Sequence, residues 1–199
     1  QAIYKRERMV HLSIPAYVGS KFAILAGFSF VQCVTLLMIA YVALDMVGNP
    51  LAHLAGLWAC ALAGTGMGLT LSALVRTTPA ALALVPMLLI PQVILGGAIM
   101  PIERMETPAW LLSQTTISRW GFEGMLQIEN IWDAYELSAD EMPEPLGPGL
   151  PAPPPPPNPI DRFIGDSETL LVVDLGVLGG FTFLFLMSAG LTLWTRERF

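Results

Sequence analysis

The sequence predicts an all-α membrane protein with four transmembrane helices, a short cytoplasmic N-terminal coupling helix and an extracytoplasmic loop with short helices. Of its 199 residues, 54% are hydrophobic and only 13% are charged, whereas soluble domains carry about 25% charged residues. The apolar residues gather in long stretches such as Phe22–Leu44 and Leu170–Trp194. A bilayer core about 30 Å thick needs roughly 20 such residues in a helix. The basic residues lie in short segments beside these stretches, as membrane proteins require.

Segments that disfavour a helix separate the predicted spans. Gly48, Asn49 and Pro50 predict a tight turn after the first span, and Pro79 follows the second. The chain is thereby divided into a cytoplasmic segment (1–15), four membrane spans (17–44, 51–75, 80–100 and 170–194) and an outer loop (101–169) with a Pro-rich insert (143–159).

The distribution of basic residues predicts the orientation of the spans. Seven of the ten Lys and Arg residues fall on the side that holds both ends and the Arg76 loop, whereas loop 101–169 has three arginines and twelve acids. We therefore expect a multi-pass protein of the cell (inner) membrane, with both ends of this chain in the cytoplasm.

The outer loop has two parts. Residues 101–136 place aromatic and aliphatic side chains, including Trp110 and Trp120, at helical spacing, which favours short helices lying on or dipping into the outer interface. Residues 138–159 are acidic and then rich in proline, which predicts an extended or disordered spacer, or less favourably a ligand for an SH3-like partner.

Several classes of function are disfavoured by the composition and motifs. The net charge of −6 has the wrong sign for nucleic acid. The chain has no Gly-x-x-x-x-Gly-Lys-Ser/Thr phosphate loop and therefore does not hydrolyse ATP by itself. His11 and His53 lack the context of a zinc site, and Cys33 and Cys60 fall inside spans, where they are expected to pack. We expect no catalytic residue and no metal site in this chain.

Small residues recur at a spacing that allows close helix contact. The second span contains Gly64-x-x-x-Gly68 and the fourth contains Gly176-x-x-x-Gly180. Such pairs let helix backbones approach in a bilayer. Packing inside the chain is the favoured interpretation, with a dimer seam as the alternative.

Polar and glycine residues distinguish the third span. It combines Pro86 and Pro91 with Gln92 and the pair Gly96-Gly97, which predicts a kinked helix that lines a cavity or contacts a neighbour. Gln92 is expected either to hydrogen-bond another helix or to contact a substrate. Asp174, an acid inside the fourth span, indicates either a functional site or simple solvation at the interface.

Taken in order, several segments resemble one family of transport proteins. Arg6-Glu7-Arg8 followed by Tyr17 and Lys21, the segment Ile90–Pro101, and Ser118-Arg119-Trp120-Gly121-Phe122 are similar to elements of the permease of ABC exporters of the G subfamily, within the ABC type-2 permease family. The resemblance implies that this chain is the C-terminal part of one permease transmembrane domain. The first two spans and the nucleotide-binding domain would be missing from it.

The resemblance also implies a function and a set of residues. The chain would form the substrate pathway of an ATP-driven exporter of bacterial origin, as a dimer with a second permease half in the lipid bilayer. ATP and Mg would bind to the missing nucleotide-binding domain, and this chain would need no cofactor of its own. The implied sites are coupling to the ATPase (Tyr4, Lys5, Arg6, Glu7, Arg8), the substrate pathway or gate (Gln92, Gly96, Gly97, Ala98, Ile99) and the outer-loop motif (Arg119, Trp120, Gly121, Phe122).

The alternative from another class is a membrane scaffold or assembly factor without transport activity. It would hold a partner through the acidic, Pro-rich outer loop. An intramembrane enzyme is disfavoured because no nucleophile and base occur together in a known pattern.

Overall fold

The computed structural model describes residues 13–44, 46, 48–75, 77–129 and 171–198, and this part of the chain contains helices and no strand. The helices are α1 (Ile14–Leu44), α2 (Pro50–Leu74), α3 (Thr78–Leu95), a short 3-10 helix (Ile102–Arg104), α4 (Thr107–Ser113), α5 (Ile117–Ile128) and α6 (Leu171–Arg198). The predicted all-α class is confirmed over these residues.

Local sequence explains where α2 begins. Asn49 has extended backbone dihedral angles, and its side chain accepts a hydrogen bond from the Leu51 backbone N–H at 2.9 Å. Pro50 occupies the first helical position, where its missing N–H leaves no donor unpaired. The turn predicted from Gly48, Asn49 and Pro50 is therefore the start of a capped helix.

Helix α2 lies at the centre of the bundle and contacts α1, α5 and α6. The buried core joins Ala63 of α2, Ile117 of α5 and Leu178 of α6. The side chain of Thr70 donates a hydrogen bond to the Phe185 carbonyl at 2.7 Å, which links α2 to α6 directly. Such bonds hold helices together where lipid supplies no hydrophobic drive for association.

The contacts also fix the directions of the helices. Along α2 and α6, residues pair in the same order, because Ala63 meets Leu178 and Gly66 meets Phe185. Along α1 and α2 the order is reversed, and Tyr41 near the end of α1 contacts His53 near the start of α2. The start of α1 and the ends of α2 and α6 therefore lie at one end of the bundle.

Within the residues that the structure describes, three helices are long and apolar enough to cross a membrane: Ile14–Leu44, Pro50–Leu74 and Leu171–Thr195. Many of their apolar side chains are exposed in the described structure, as lipid-facing helices require. The chain is thus a multi-pass membrane protein. Helix α3 is apolar but shorter, and the predicted count of four spans stays a prediction.

The third predicted span, 80–100, ends earlier than expected. Helix α3 stops at Leu95, Gly96 follows as its cap, and Gly97 has a φ of +94°. Glycine adopts this left-handed conformation without steric cost and commonly ends helices there. The glycine pair was expected to lie within the helix, but it ends the helix instead.

Helix α5 follows α4 after a short turn and packs beside α2. Ile117 at the start of α5 packs near Ala63, while Met125 and Ile128 approach Gly56 closer to the start of α2. Ala63 lies 13 residues after the start of α2, which corresponds to about 20 Å along the helix at 1.5 Å per residue. Since Ile117 packs near Ala63, α5 starts at this depth in the bundle. Helix α5 thus runs from the middle of the bundle to one of its ends.

Several predictions fall outside the described residues. They are the N-terminal coupling helix, the end of the outer loop and its Pro-rich insert at 143–159.

Candidate functional site

A cavity of about 360 Å³ lies between α2, α3 and α5. Its walls are almost entirely apolar, although Gln92, Ser118 and Cys60 are among the residues that line it. The remaining lining comes from Leu57, Gly64, Met67, Leu89, Ile117, Gly121, Phe122 and Met125. A mostly apolar cavity with a few polar groups is the usual form of a site for a small amphipathic molecule.

Gln92 is tied to both neighbouring helices. Its amide nitrogen donates to the Met67 sulfur at 3.1 Å, and its backbone carbonyl accepts a hydrogen bond from the Ser118 hydroxyl. Pro91 does not interrupt α3 at this position. Of the two roles expected for Gln92, the structure therefore shows the contact between helices, and it also places the side chain on the cavity wall.

The turn after α3 sits tightly against α5. A Cβ atom placed at Gly96 would lie 2.8 Å from the Gln92 carbonyl oxygen and 2.9 Å from the Ser118 hydroxyl. At Gly97, the same atom would lie 3.3 Å from the Phe122 ring. Both glycines are buried, so close packing accounts for their lack of side chains.

The next two predicted gate residues are placed differently. Ala98 is exposed, and the Ile99 side chain is 65% exposed. They follow the turn and face away from the buried contact between Gly97 and Phe122. Within the described chain no residue closes over Ile99, so its predicted role as a plug stays a prediction.

Arg119 and Glu123 of α5 and Asp174 of α6 form a buried charged cluster. The exposed fractions of the three residues are 4%, 0% and 1%, respectively. The Arg119 and Glu123 side chains are paired one helical turn apart, with Nη2 3.5 Å from Oε2. Solvation at the interface, one of the two roles expected for Asp174, is therefore wrong.

Gln114 in the turn before α5 orients this cluster. Its side-chain oxygen accepts a hydrogen bond from Arg119, and its backbone carbonyl accepts one from the Trp120 indole at 2.9 Å. The Arg119 guanidinium also lies 4.8 Å from the centroid of the Trp120 ring. Burial lowers the pKa of Arg119 below its ordinary value, although Glu123 and Asp174 act in the opposite direction.

The predicted outer-loop motif is a contiguous part of α5. Gly121 faces Cys60 of α2 so closely that a Cβ atom would overlap the thiol sulfur. Phe122 lines the cavity, while Arg119 belongs to the charged cluster. The motif thus joins α5 to α2, to the turn after α3 and to α6.

A second polar contact fastens the end of α5 to the turn between α1 and α2. The Tyr41 hydroxyl lies 2.5 Å from the Gly48 carbonyl and 3.0 Å from His53 Nδ1. His53 Nε2 is 3.2 Å from Glu129 Oε2. The sequence placed His53 at this end of the chain's second span but gave no sign of these partners.

The small-residue pairs do not pack as predicted. A Cβ atom at Gly64, Gly68, Gly176 or Gly180 would have no neighbour within 4 Å. Gly66, between the first two, is the close contact, since its added Cβ would lie 3.1 Å from Phe185 Cβ. Packing inside this chain is therefore the wrong interpretation of both pairs.

The predicted coupling residues, Tyr4 to Arg8, lie outside the described residues. Among the residues that are described, no group of three or more His, Cys, Asp or Glu side chains could hold a metal ion.

These features together define a helical, multi-pass membrane protein with a cavity between α2, α3 and α5. The sequence profile of the ABC-2 type transporter family matches residues 1–130, well over half of the chain. The chain therefore belongs to the ABC-2 type transporter family. Membrane domains of this family lie in the lipid bilayer and generally partner with nucleotide-binding domains. No curated protein matches the chain.

Proposed function

We propose that this chain forms the substrate pathway of an ATP-driven exporter and is the C-terminal part of one permease domain of the G-subfamily type. Membership of the ABC-2 type transporter family supports a transport role. The cavity between α2, α3 and α5 carries the proposal further, because its apolar walls, with Gln92 and Ser118 among the lining residues, suit a small and largely apolar molecule.

The glycines of α2 provide a direct test of this pathway. Gly64 lines the cavity, and an added Cβ there meets nothing within 4 Å. We expect Gly64→Leu to fill the cavity without a backbone clash, and to reduce ATP-dependent efflux at least tenfold while the protein still folds. The measurement is dye efflux from cells or vesicles, divided by the amount of folded full-length transporter.

Gly68→Leu is the matched control. Gly68 lies one turn further along α2, has equal room for a side chain and does not line the cavity. Efflux by the Gly68 variant should stay near the wild-type rate. Equal efflux by both variants, at wild-type folded yield, would contradict a pathway through this cavity.

We further propose that the segment formed by Tyr4, Lys5, Arg6, Glu7 and Arg8 contacts the nucleotide-binding domain and transmits its ATP-driven closure to the membrane helices. The proposal rests on the Arg6-Glu7-Arg8 charge pattern and its resemblance to the family's coupling segment. ATP and Mg belong to that separate or fused domain.

Charge reversal at Glu7 tests the coupling. Glu7→Lys is expected to abolish transport while ATP hydrolysis and membrane insertion remain, because the acidic partner in the coupling contact is lost. Hydrolysis and efflux are measured on the same proteoliposomes, with Glu7→Asp as the charge-conserving control. If Glu7→Lys transports normally, the segment serves only as a basic anchor, to which an acid contributes little.

The orientation proposed is that both ends of the chain are cytoplasmic, in a cell (inner) membrane. Two observations support it: the start of α1 and the ends of α2 and α6 share one end of the bundle, and most basic residues of the sequence belong to that end. Helix α3 begins directly after α2 and therefore enters from the same end, as the predicted fourth crossing requires.

The remaining parts of the proposal concern the assembly. A second permease half would complete a dimer, and Gln92, Gly96, Gly97, Ala98 and Ile99 would lie along the pathway, with Ala98 and Ile99 at its gate. The exposure of Ile99 beyond the glycine turn supports a contact with a second half. A scaffold that binds a partner through the outer loop is the less favoured function, given the family membership.

A further inference from the structure

The carboxyl group of Asp174 is buried without a hydrogen-bonding partner. The residue is 1% exposed, and neither Oδ1 nor Oδ2 has a partner for a hydrogen bond. Gly124 of α5 covers it, since a Cβ atom added there would lie 3.5 Å from Oδ2. An ionised carboxylate in such a place loses its hydration and gains no hydrogen bond in return.

The charges around Asp174 do not balance. On α5, Arg119 and Glu123 face it, and they are already paired with each other at 3.5 Å.

Helix α2 carries no Asp, Glu, Lys or Arg, and its ionisable groups are His53, which contacts Glu129, and Cys60, which faces Gly121. The only Lys or Arg of α1 is Lys21, which lies over Tyr17 at the opposite end of the bundle. Among the described residues, one guanidinium therefore serves two carboxyl groups.

Among possible ligands, a proton fits this site best. A metal ion would need several oxygen, nitrogen or sulfur ligands, and the described residues contain no group of three or more that could supply them. A proton needs one carboxylate oxygen and removes the uncompensated charge. We propose that Asp174 carries a proton in the folded transporter, so that the contact between α5 and α6 is a proton-binding site.

This site makes a prediction about any movement that separates the two helices. When α5 leaves Asp174, water reaches the carboxyl group, its O–H bond ionises and the proton passes to the solvent. The contact between α5 and α6 is then favoured by acid and opposed by base. The proposal goes beyond export, because it requires neither a particular substrate nor ATP-driven transport.

Counting protons released on unfolding tests the site. The full-length transporter is unfolded at pH 7 in weakly buffered solution that contains a pH-indicator dye. An exposed Asp side chain has a pKa of about 3.9 and is ionised at this pH, so the wild type should release about one more proton per chain than Asp174→Asn. Asparagine keeps the shape of the neutral acid and has no proton to lose.

The pH dependence of thermal unfolding gives a second readout. The folded wild type binds more protons than the unfolded chain, so its stability should fall as pH rises from 5 to 8. The midpoint temperature of unfolding of Asp174→Asn should fall less over the same pH range, because this variant has no Asp174 proton to lose. Glu106→Gln, at an exposed acid, is the control and should match the wild type in both measurements.

Glu123→Gln keeps the test decisive if Asp174→Asn does not fold. Without the Glu123 charge, Arg119 can pair with an ionised Asp174. Asp174 then holds no proton in the folded state, and the Glu123→Gln variant should release about one proton fewer on unfolding than the wild type. If the wild type and the folded variant release equal numbers of protons and differ only by a constant offset in stability, Asp174 is ionised in the fold and the proposal is overturned.

Discussion

Replacing Arg119 with alanine is expected to destabilise the transporter by about 3–5 kcal/mol, the usual cost of removing one partner from a buried ion pair. Glu123, which is 0% exposed, would then be buried without the guanidinium that pairs with it. Gln114 would also lose the hydrogen bond from Arg119. The measurement is thermal unfolding and folded yield of the full-length protein in lipid nanodiscs.

Two further variants separate charge from packing. Arg119→Lys keeps the charge but loses the planar guanidinium that contacts Gln114 and Glu123 together, so an intermediate loss is expected. Adding Glu123→Gln to Arg119→Ala should recover part of the stability, because a neutral amide costs less to bury than a carboxylate that has lost the guanidinium. If the double variant is no more stable than Arg119→Ala, the effect comes from packing and the charge argument is wrong.

The helices were predictable because a helix that crosses a bilayer needs a long and nearly uninterrupted stretch of apolar residues. Apolar stretches of sufficient length identified α1, α2 and α6, and the positions of Asn49 and Pro50 identified the start of α2. A helix can satisfy all its backbone groups from its own residues. Such elements depend on local composition, which a single sequence contains in full.

The charged cluster could not be assembled from the sequence in the same way. Arg119 and Glu123 are four residues apart and could have been paired on one helix, but Asp174 follows 51 residues after Glu123. The contact of Gly124 with Leu171 and Asp174 brings α5 against α6 at this depth. A long intervening segment removes any spacing rule, so the sequence left two roles open for Asp174.

The glycines of α2 show a related limit. Spacing singled out Gly64 and Gly68, whereas the close contact with α6 is at Gly66. All three positions permit a close approach, and the choice among them depends on the direction from which α6 crosses α2. That direction is a property of tertiary packing, and a pattern of small residues does not specify it.

The glycine pair after α3 leads to the second large effect. Gly97→Leu is expected to destabilise the fold by about 2–5 kcal/mol, combining roughly 1–2 kcal/mol for a left-handed non-glycine residue with about 1–3 kcal/mol for overpacking. Its φ is +94°, and an added Cβ would lie 3.3 Å from the Phe122 ring. Folded yield and efflux should therefore fall together, since the loss begins in the fold.

Two neighbouring substitutions test that explanation. Gly97→Asn should be milder than Gly97→Leu, because asparagine tolerates positive φ better than other non-glycine residues. Ala98→Leu places the same side chain one residue further along, at an exposed position, and should leave the folded yield unchanged. If Gly97→Leu instead folds to the wild-type yield and blocks efflux, the residue acts as a gate, and the turn with its contact to Phe122 is not the reason for a glycine there.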